Sequence, residues 1–387
     1  MAATAIRAAR MFDGTNLHGP STVVIDDGRI IGVDTSPAPV VAVVDLGDAC
    51  LLPGLVDAHQ HLAFDATADA VRIAAEATDA KLLSVMRSAA QRALHAGVTT
   101  VRDLGDRGFL TLTLRELLAK TPGRGPEILA AGPPITTPGG HCHFLGGAAT
   151  GREELRAAVQ ERHRRGCDVV KVMSSGGHVT PDSVPPYRTQ FSRADLRVVV
   201  DEAHRLGLPV AVHAHAVDSI RDALAVGADS IEHATFMTAT GIGADPTLLD
   251  ALAAAPPAIS VTVGAPATGG EIPPAALERM HAIAAALTGL RNRGATMILS
   301  SDAGIENTPH DLLPRAVELA VAAGWTPLQA LTAVTSGPAA VCRVGDRKGR
   351  IAAGADADLL AIAGDPTHDP AALQSVVAVY RAGIRVR

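Results

Sequence analysis

The sequence predicts an α/β protein, a (β/α)8 TIM-like barrel carrying a composite β-sandwich formed by both chain ends. From about residue 55 to 345, short β-branched runs alternate eight times with amphipathic stretches rich in Ala, Leu and Arg. Residues 1–54 and 346–387 read instead as short β segments broken by glycine. Neither end has enough strands for a sandwich alone, but together they can pair into one. The unusual polar residues of the middle region fall where strands end, which is where a parallel barrel carries its chemistry. A doubly wound sheet would give the same alternation, yet no GxGxxG loop follows any strand.

The elements follow in order. AIRAARMFDG, STVVIDDGRIIGV and VVAVVDLGDACLLPG alternate apolar and polar positions and turn at Asp-Gly or Gly. The barrel strands are LVDAHQHLAF, VTTVRDLG, EILAAG, DVVKVMSS, PVAVHAHAV, DSIEHATF, AISVTVG and TMILSSDAG. Helical stretches such as REELRAAVQERHRRG, RADLRVVVDEAHRLG, DSIRDALAVG and ERMHAIAAALTGLRNRG lie between them. The tail segments GRIAAGADADLLAIAGD and SVVAVYRAGIRVR are again β-rich. The barrel domain is thus expected over 55–345.

Composition narrows the function. Hydrophobic residues at 47% and charged residues at 19% suit a large packed core and not disorder. A net charge of −6 without a basic block argues against nucleic acid or an anionic membrane as partner. The charge-free run from Asp250 to Glu271 contains Pro256, Pro257 and Pro266 and makes a poor membrane span. MAATAIRAARMFDG lacks a signal peptide's basic start and apolar run, and Cys50, Cys142, Cys167 and Cys342 form no CxxC pair. A cytoplasmic protein without a disulfide framework is expected. Of four lysines, Lys81, Lys120 and Lys348 sit in polar or helical surroundings and read as solvated, whereas Lys171 interrupts the apolar run Val169–Met173.

The chemistry concentrates at strand ends. In His59-Gln60-His61 the two histidines at i and i+2 project to one face of a strand and can chelate one ion. Alone, HxH is weak evidence. His213-Ala214-His215 repeats it, His233 ends the sixth strand, and Asp302 ends the eighth. Together they exceed what satisfied core histidines explain. Burial in an apolar strand favours the neutral amine of Lys171, which can take up CO2 as an anionic carbamate able to bridge two cations. The alternative is a buried ion pair with Asp302 or Glu232. Two divalent ions about 3.5–4 Å apart, sharing a water, would supply hydroxide near neutral pH and polarise a carbonyl.

This order of motifs, with LLPGLVDAHQH leading, resembles the amidohydrolase superfamily. DVVKVMSSGG, PVAVHAHAVDSIRDALAVGADSIEHATF and ILSSDAG are similar to its imidazolonepropionase-like branch, which includes microbial prolidases, a zinc-dependent arginine carboxypeptidase and ochratoxin amidase. The resemblance spans nearly the whole chain. It implies that His59, His61 and Asp302 bind a first metal, His213 and His233 a second, with carboxylated Lys171 between them and zinc as the expected ion. His215 would then touch substrate. Strand geometry alone does not separate His213 from His215. Gln60 departs from the Thr this branch often has, and its side chain should point away from the metals. Such barrels often assemble as homo-oligomers through helix faces.

In this reading a metal-bridging hydroxide attacks an amide, Asp302 moves the nucleophile's proton to the leaving nitrogen, and His215 polarises the carbonyl. Asp302 as a helix N-cap is the alternative. His141, in GGHCH, and His178, Tyr187 and Arg188, after the fourth strand, are candidate substrate contacts, with Arg188 suited to a carboxylate. His95, His163, His204 and His281 read as solvated helix residues; His18, His310 and His368 carry no signal. A small dipeptide or N-acyl amino acid is the expected substrate. A one-metal cyclic-amide hydrolase or deaminase is the alternative, which the lysine argues against, and a non-catalytic scaffold is a third reading.

Overall fold

The computed structural model describes residues 3–34, 42–180, 182–263 and 273–387. Pro181, and Pro266 and Glu271 of the charge-free run, lie outside the described residues. Leu55–Gln60 pairs in parallel with Val98–Asp103, which pairs in parallel with Glu127–Ala130. A second parallel run takes Val170–Met173, Val210–Ala216, Ser230–Thr238, Ala258–Thr262 and Met297–Ser300 in spatial order. Beyond the strand ends, isolated parallel bridges pair Ile135 with Val172 and Gln60 with Ala303. The helices Asp79–His95, Leu110–Ala119, Gly151–Arg165, Arg193–Arg205, Val217–Val226, Pro246–Ala253, Pro274–Asn292 and Leu313–Ala322 alternate with these strands. The arrangement is mixed α/β and TIM-barrel-like.

Strand composition follows from this layering. Every residue of Leu55–Gln60, Val98–Asp103 and Val210–Ala216 is buried, as parallel strands covered on both faces require. The helix Arg193–Arg205 shows the matching pattern: Leu196, Val199, Val200 and Ala203 are buried at i, i+3, i+4 and i+7. Ser192 caps it by accepting from the Asp195 backbone N–H. Each fully buried aliphatic side chain on that stripe contributes about 1.5–3 kcal/mol, so an acidic residue at Val199 would undo the face. The Pro53-Gly54 turn that opens the first parallel strand needs glycine, because a Cβ at 54 would collide with the Thr99 side chain.

The chain ends interlock. Ala49–Pro53 lies antiparallel to Leu359–Ala363, which continues to Val376–Arg381, and Arg10–Phe12 adds in parallel on the other side. Thr4–Ala8, Ser21–Asp26, Arg29–Val33 and Ala42–Asp45 form a second sheet. Ile6, Val23 and Ile25 share one core with Leu51, Leu359, Ala361 and Tyr380, so residues of both ends pack together. The four cysteines are free and buried. Among the described residues, no helix is long and apolar enough to cross a membrane.

One sequence expectation is corrected here. Lys348 is not solvated; it is 2% exposed. Its Nζ lies 2.5 Å from Asp358 Oδ2, 2.7 Å from Asp356 Oδ2 and 3.0 Å from Glu127 Oε2. Arg347 and Arg381 complete the cluster around Glu127. Glu127 starts the third parallel strand, so the cluster ties the amino-terminal side of those strands to the chain's tail. Sequence proximity could not reveal this, because the partner at 127 is remote in the chain. Lys348→Met should cost about 3–5 kcal/mol by leaving buried carboxylates uncompensated, read as the free energy of urea unfolding at pH 7. Burial opposes ionisation of Glu127, but Arg347, Lys348 and Arg381 hold it down to about 2. A depressed carboxylate stabilises above its unfolded value of about 4.3, so the wild-type advantage should fade as pH falls from there toward 2. An equal advantage at both ends of that range would contradict the cluster's role.

Candidate functional site

The carboxyl ends of the parallel strands bring the polar residues into one cavity, lined among others by His59, His61, His141, Lys171, His178, His213, His215, His233 and Asp302. Phe64, Leu145, Met173, Val179 and Ile305 supply its apolar wall. The first strand carries His59 and His61, whose Nε2 atoms both lie 3.3 Å from Asp302 Oδ1. His59 Nδ1 is 2.9 Å from Glu232 Oε2. The imidazole of His213 meets that of His233 at 3.0 Å, Nδ1 to Nε2. Their outer nitrogens are occupied: His213 Nε2 by the Gly176 carbonyl at 3.0 Å, His233 Nδ1 by Thr262 Oγ1 at 2.9 Å. His215 Nδ1 is 2.8 Å from Thr235 Oγ1, and its ring stacks on His233 with centroids 4.6 Å apart.

Two groups emerge, His59/His61/Asp302 and His213/His215/His233, each with its donor atoms within 4.8 Å of one another. Lys171 is fully buried among them, and its Nζ has no hydrogen-bond partner among the described residues; neither Asp302 nor Glu232 bonds to it. His59 Nε2 is a second buried nitrogen without a hydrogen-bond partner. Orphaned nitrogens beside clustered imidazoles and a carboxylate fit divalent ions of the nitrogen- and oxygen-binding kind.

The electrostatics agree. Burial pushes Lys171 down to about 8 and favours its neutral amine. Burial, reinforced by Lys171, takes His59 down to about 4, and His215 is lowered to about 3 by burial, then His178 and His141. His213 and His233 fall well below the usual imidazole range through burial and their neighbours. Neutral imidazole is the form that binds a metal. Burial raises Asp302, but His59, His61 and Lys171 outweigh it and keep it ionised.

Backbone and supporting bonds hold the ends in place. Asp302 and His233 both sit at positive φ, 54° and 70°, conformations that non-glycine residues adopt only when their surroundings impose them. Asp302 is not a helix N-cap, since the next helix starts at Leu313. Buried Asp57 accepts from the Ser301 N–H at 3.1 Å, Ser301 Oγ at 2.5 Å and Gln60 Nε2 at 2.7 Å, joining the first strand to the eighth. Gln60 thus turns to Asp57 and not to the clusters. His310, which carried no signal in the sequence, is buried with Nε2 3.2 Å from the His61 carbonyl. Asp57, Arg102, Glu232 and His310 were missed as site residues; a charged residue inside an apolar strand was the available signal for the first three.

The substrate candidates separate. His141 is buried in the cavity wall, 3.2 Å from Thr180 Oγ1, and Gly177 lies so close that a Cβ there would strike its ring. His178 is exposed at the rim, its ring 5.5 Å from that of His215. Tyr187, 41% exposed, and Arg188 lie on the loop beyond and are not among the lining side chains. His95, His163, His204 and His281 are exposed on helices.

Comparison with known proteins gives a consistent picture. The Amidohydrolase family profile matches residues 50–386. Ochratoxinase of Aspergillus niger is 28% identical over 371 residues, covering 85% of this chain and 73% of that protein. Imidazolonepropionase of Salinispora arenicola is 27% identical over 380 residues, covering 90% and 86%. A crystal structure of a Xaa-Pro dipeptidase with methionine in its active site superposes with a TM-score of 0.85 at 26% identity, covering 99% of both chains.

His213 Nδ1 and His233 Nε2 face each other at 3.0 Å within a donor group that also includes His215, so variants test the division of roles expected from the sequence. His213→Ala should lower the metal content of the purified protein. His215→Ala should retain it and reduce turnover by about a hundred- to a thousand-fold, the usual cost of a lost carbonyl-polarising donor. Elemental analysis of both variants decides; a metal-depleted His215→Ala protein would reverse the assignment.

Proposed function

The chain belongs to the amidohydrolase family and is a hydrolase acting on carbon–nitrogen bonds; from that premise we propose that it cleaves the amide bond of a small dipeptide or N-acyl amino acid at a centre of two divalent ions, with zinc as the expected metal. The observation that carries the reading is Lys171 Nζ, buried without a hydrogen-bond partner beside both histidine groups. In the proposed centre His59, His61 and Asp302 would hold one ion, and His213 and His233 the other. The lysine amine, by adding to CO2 and losing one proton, would supply a carbamate oxygen ligand beside both groups. Bound there, the ions would lower the pKa of a shared water and polarise the scissile carbonyl.

The residues around them have separate tasks. Asp302 accepts the attacking water's proton at its carboxylate and delivers it to the leaving nitrogen. His215 polarises the carbonyl or holds a substrate carboxylate, with its Nδ1 engaged by Thr235 Oγ1. His141 and His178 contact substrate within the cavity. Tyr187 and Arg188 would serve only a substrate that extends past His178. The similarity to imidazolonepropionase supports a cyclic amide as the second reading.

The same proposal covers the surroundings. The two parallel runs close into one (β/α)8 barrel, and the two sheets of the chain ends form its composite sandwich. The partner is a small-molecule amide and not nucleic acid or membrane, in a cytoplasmic homo-oligomer.

Elemental analysis should find two ions per chain, and a screen of dipeptides, N-acyl amino acids and cyclic amides, with zinc and bicarbonate supplied, should give turnover on the open-chain amides. Full activity with one ion or none, or turnover of cyclic amides alone, would overturn the reading. Lys171→Ala should lose most activity and recover part of it with short carboxylic acids that replace the carbamate. Asp302→Asn should lower kcat far more than it changes KM, because proton transfer is lost in the transition state; a loss confined to KM would contradict the role.

A further inference from the structure

Beneath His59 lies a buried ion pair that none of these steps uses. Arg102, on the second parallel strand, and Glu232, on the sixth, are both buried, with Arg102 Nη2 3.0 Å from Glu232 Oε1. The same oxygen accepts from Ser230 Oγ at 2.5 Å. The other, Oε2, faces His59 Nδ1 at 2.9 Å. Arg102 also donates from Nε to the carbonyl of Ala58, the residue before His59, at 2.6 Å. Side chains of two further strands therefore hold both the ring and the backbone of His59.

A carboxylate only accepts, so this contact requires the proton of the neutral His59 ring on Nδ1. The lone pair is then on Nε2, which is buried without a hydrogen-bond partner and 3.3 Å from the Asp302 oxygen that His61 also approaches. Replacing a buried ion pair by apolar residues of similar volume is often neutral for stability or better. Stability is thus a poor reason for Arg102 and Glu232 to occupy this interior, whereas orientation of a ligand is a good one. Glu232 is also fully engaged, Oε1 by Arg102 and Ser230 and Oε2 by His59, and Lys171 Nζ is left without a bond to it.

We propose that Arg102 and Glu232 are a positioning unit that fixes His59 as its Nδ1–H tautomer and aims Nε2 at the point where His61 and Asp302 converge. What Nε2 receives there rests on the metal reading above; the tautomer does not.

The test uses the whole chain labelled with 15N-histidine. In the metal-free protein, long-range proton–nitrogen spectra should show His59, identified by its loss in His59→Asn, with its proton on Nδ1. Arg102→Met with Glu232→Leu removes the pair at near-constant volume; it should scramble that tautomer and weaken zinc binding in a chelator competition by about 10–100-fold. Arg102→Met with Glu232→Gln restores a neutral acceptor and should bring back both the tautomer and most of the affinity. A purely structural role would move neither signal between the two double variants. A wild-type His59 protonated on Nε2, or wild-type zinc affinity in the Met/Leu variant, would overturn the proposal. Should the Met/Leu variant fail to fold, the tautomers of the wild type and the Met/Gln variant decide alone. A wild-type protein that takes up no ion would overturn the metal reading and not this one.

Discussion

A fully buried lysine with no hydrogen-bond partner among the described residues, on the fourth parallel strand, sets the terms for what lies near it. A charged ammonium there would be costly, and burial accordingly favours the neutral amine of Lys171. Its neighbours are arranged compatibly. Glu232 is occupied by Arg102, Ser230 and His59, and Asp302 lies against His59 and His61. Burial favours the neutral rings of His59, His213, His215 and His233, and for the last three neighbouring histidines add to it. The result is a concentration of lone pairs in one cavity, of the kind that suits a divalent cation.

The other buried lysine solves the same problem in the opposite way. Lys348 is ringed by Glu127, Asp356 and Asp358, each with a carboxylate oxygen within 3.0 Å of its Nζ. One lysine is surrounded by acids and serves to tie the tail to the third parallel strand. The other, Lys171, makes no hydrogen bond to a carboxylate among the described residues. Burial alone therefore says little about a lysine's role; the occupancy of the neighbouring carboxylates decides it.

Holding the site also involves backbone conformations that side chains ordinarily avoid. Asp302 and His233 take positive φ, and the bonds from Ser301 to the Asp57 carboxylate and from the Asp302 N–H to the His59 carbonyl, 2.8 Å, secure the first of them. The rigid strands beneath, buried on both faces, give these bonds a fixed base. The rim is different, with His178, Tyr187 and Arg188 exposed on one loop.

Much of this was legible in the sequence because it is local. Period-two spacing put His59 with His61 and His213 with His215 on common faces, apolar runs marked the strands, and a lysine inside one of them announced itself. The order of those motifs was enough for the family resemblance. What the sequence could not supply is pairing across the chain. That Glu232 bonds His59 from 173 residues away, that Asp57 reaches Ser301 across 244, and that Lys348 finds Glu127 are decided only when distant strands are brought side by side. The identity of candidate donors is a property of residue type and spacing, fixed along the chain. The choice of which nitrogen carries the proton, which carboxylate is already occupied and which lysine is left alone belongs to three-dimensional proximity, because hydrogen bonds and charges act across space without regard to sequence separation.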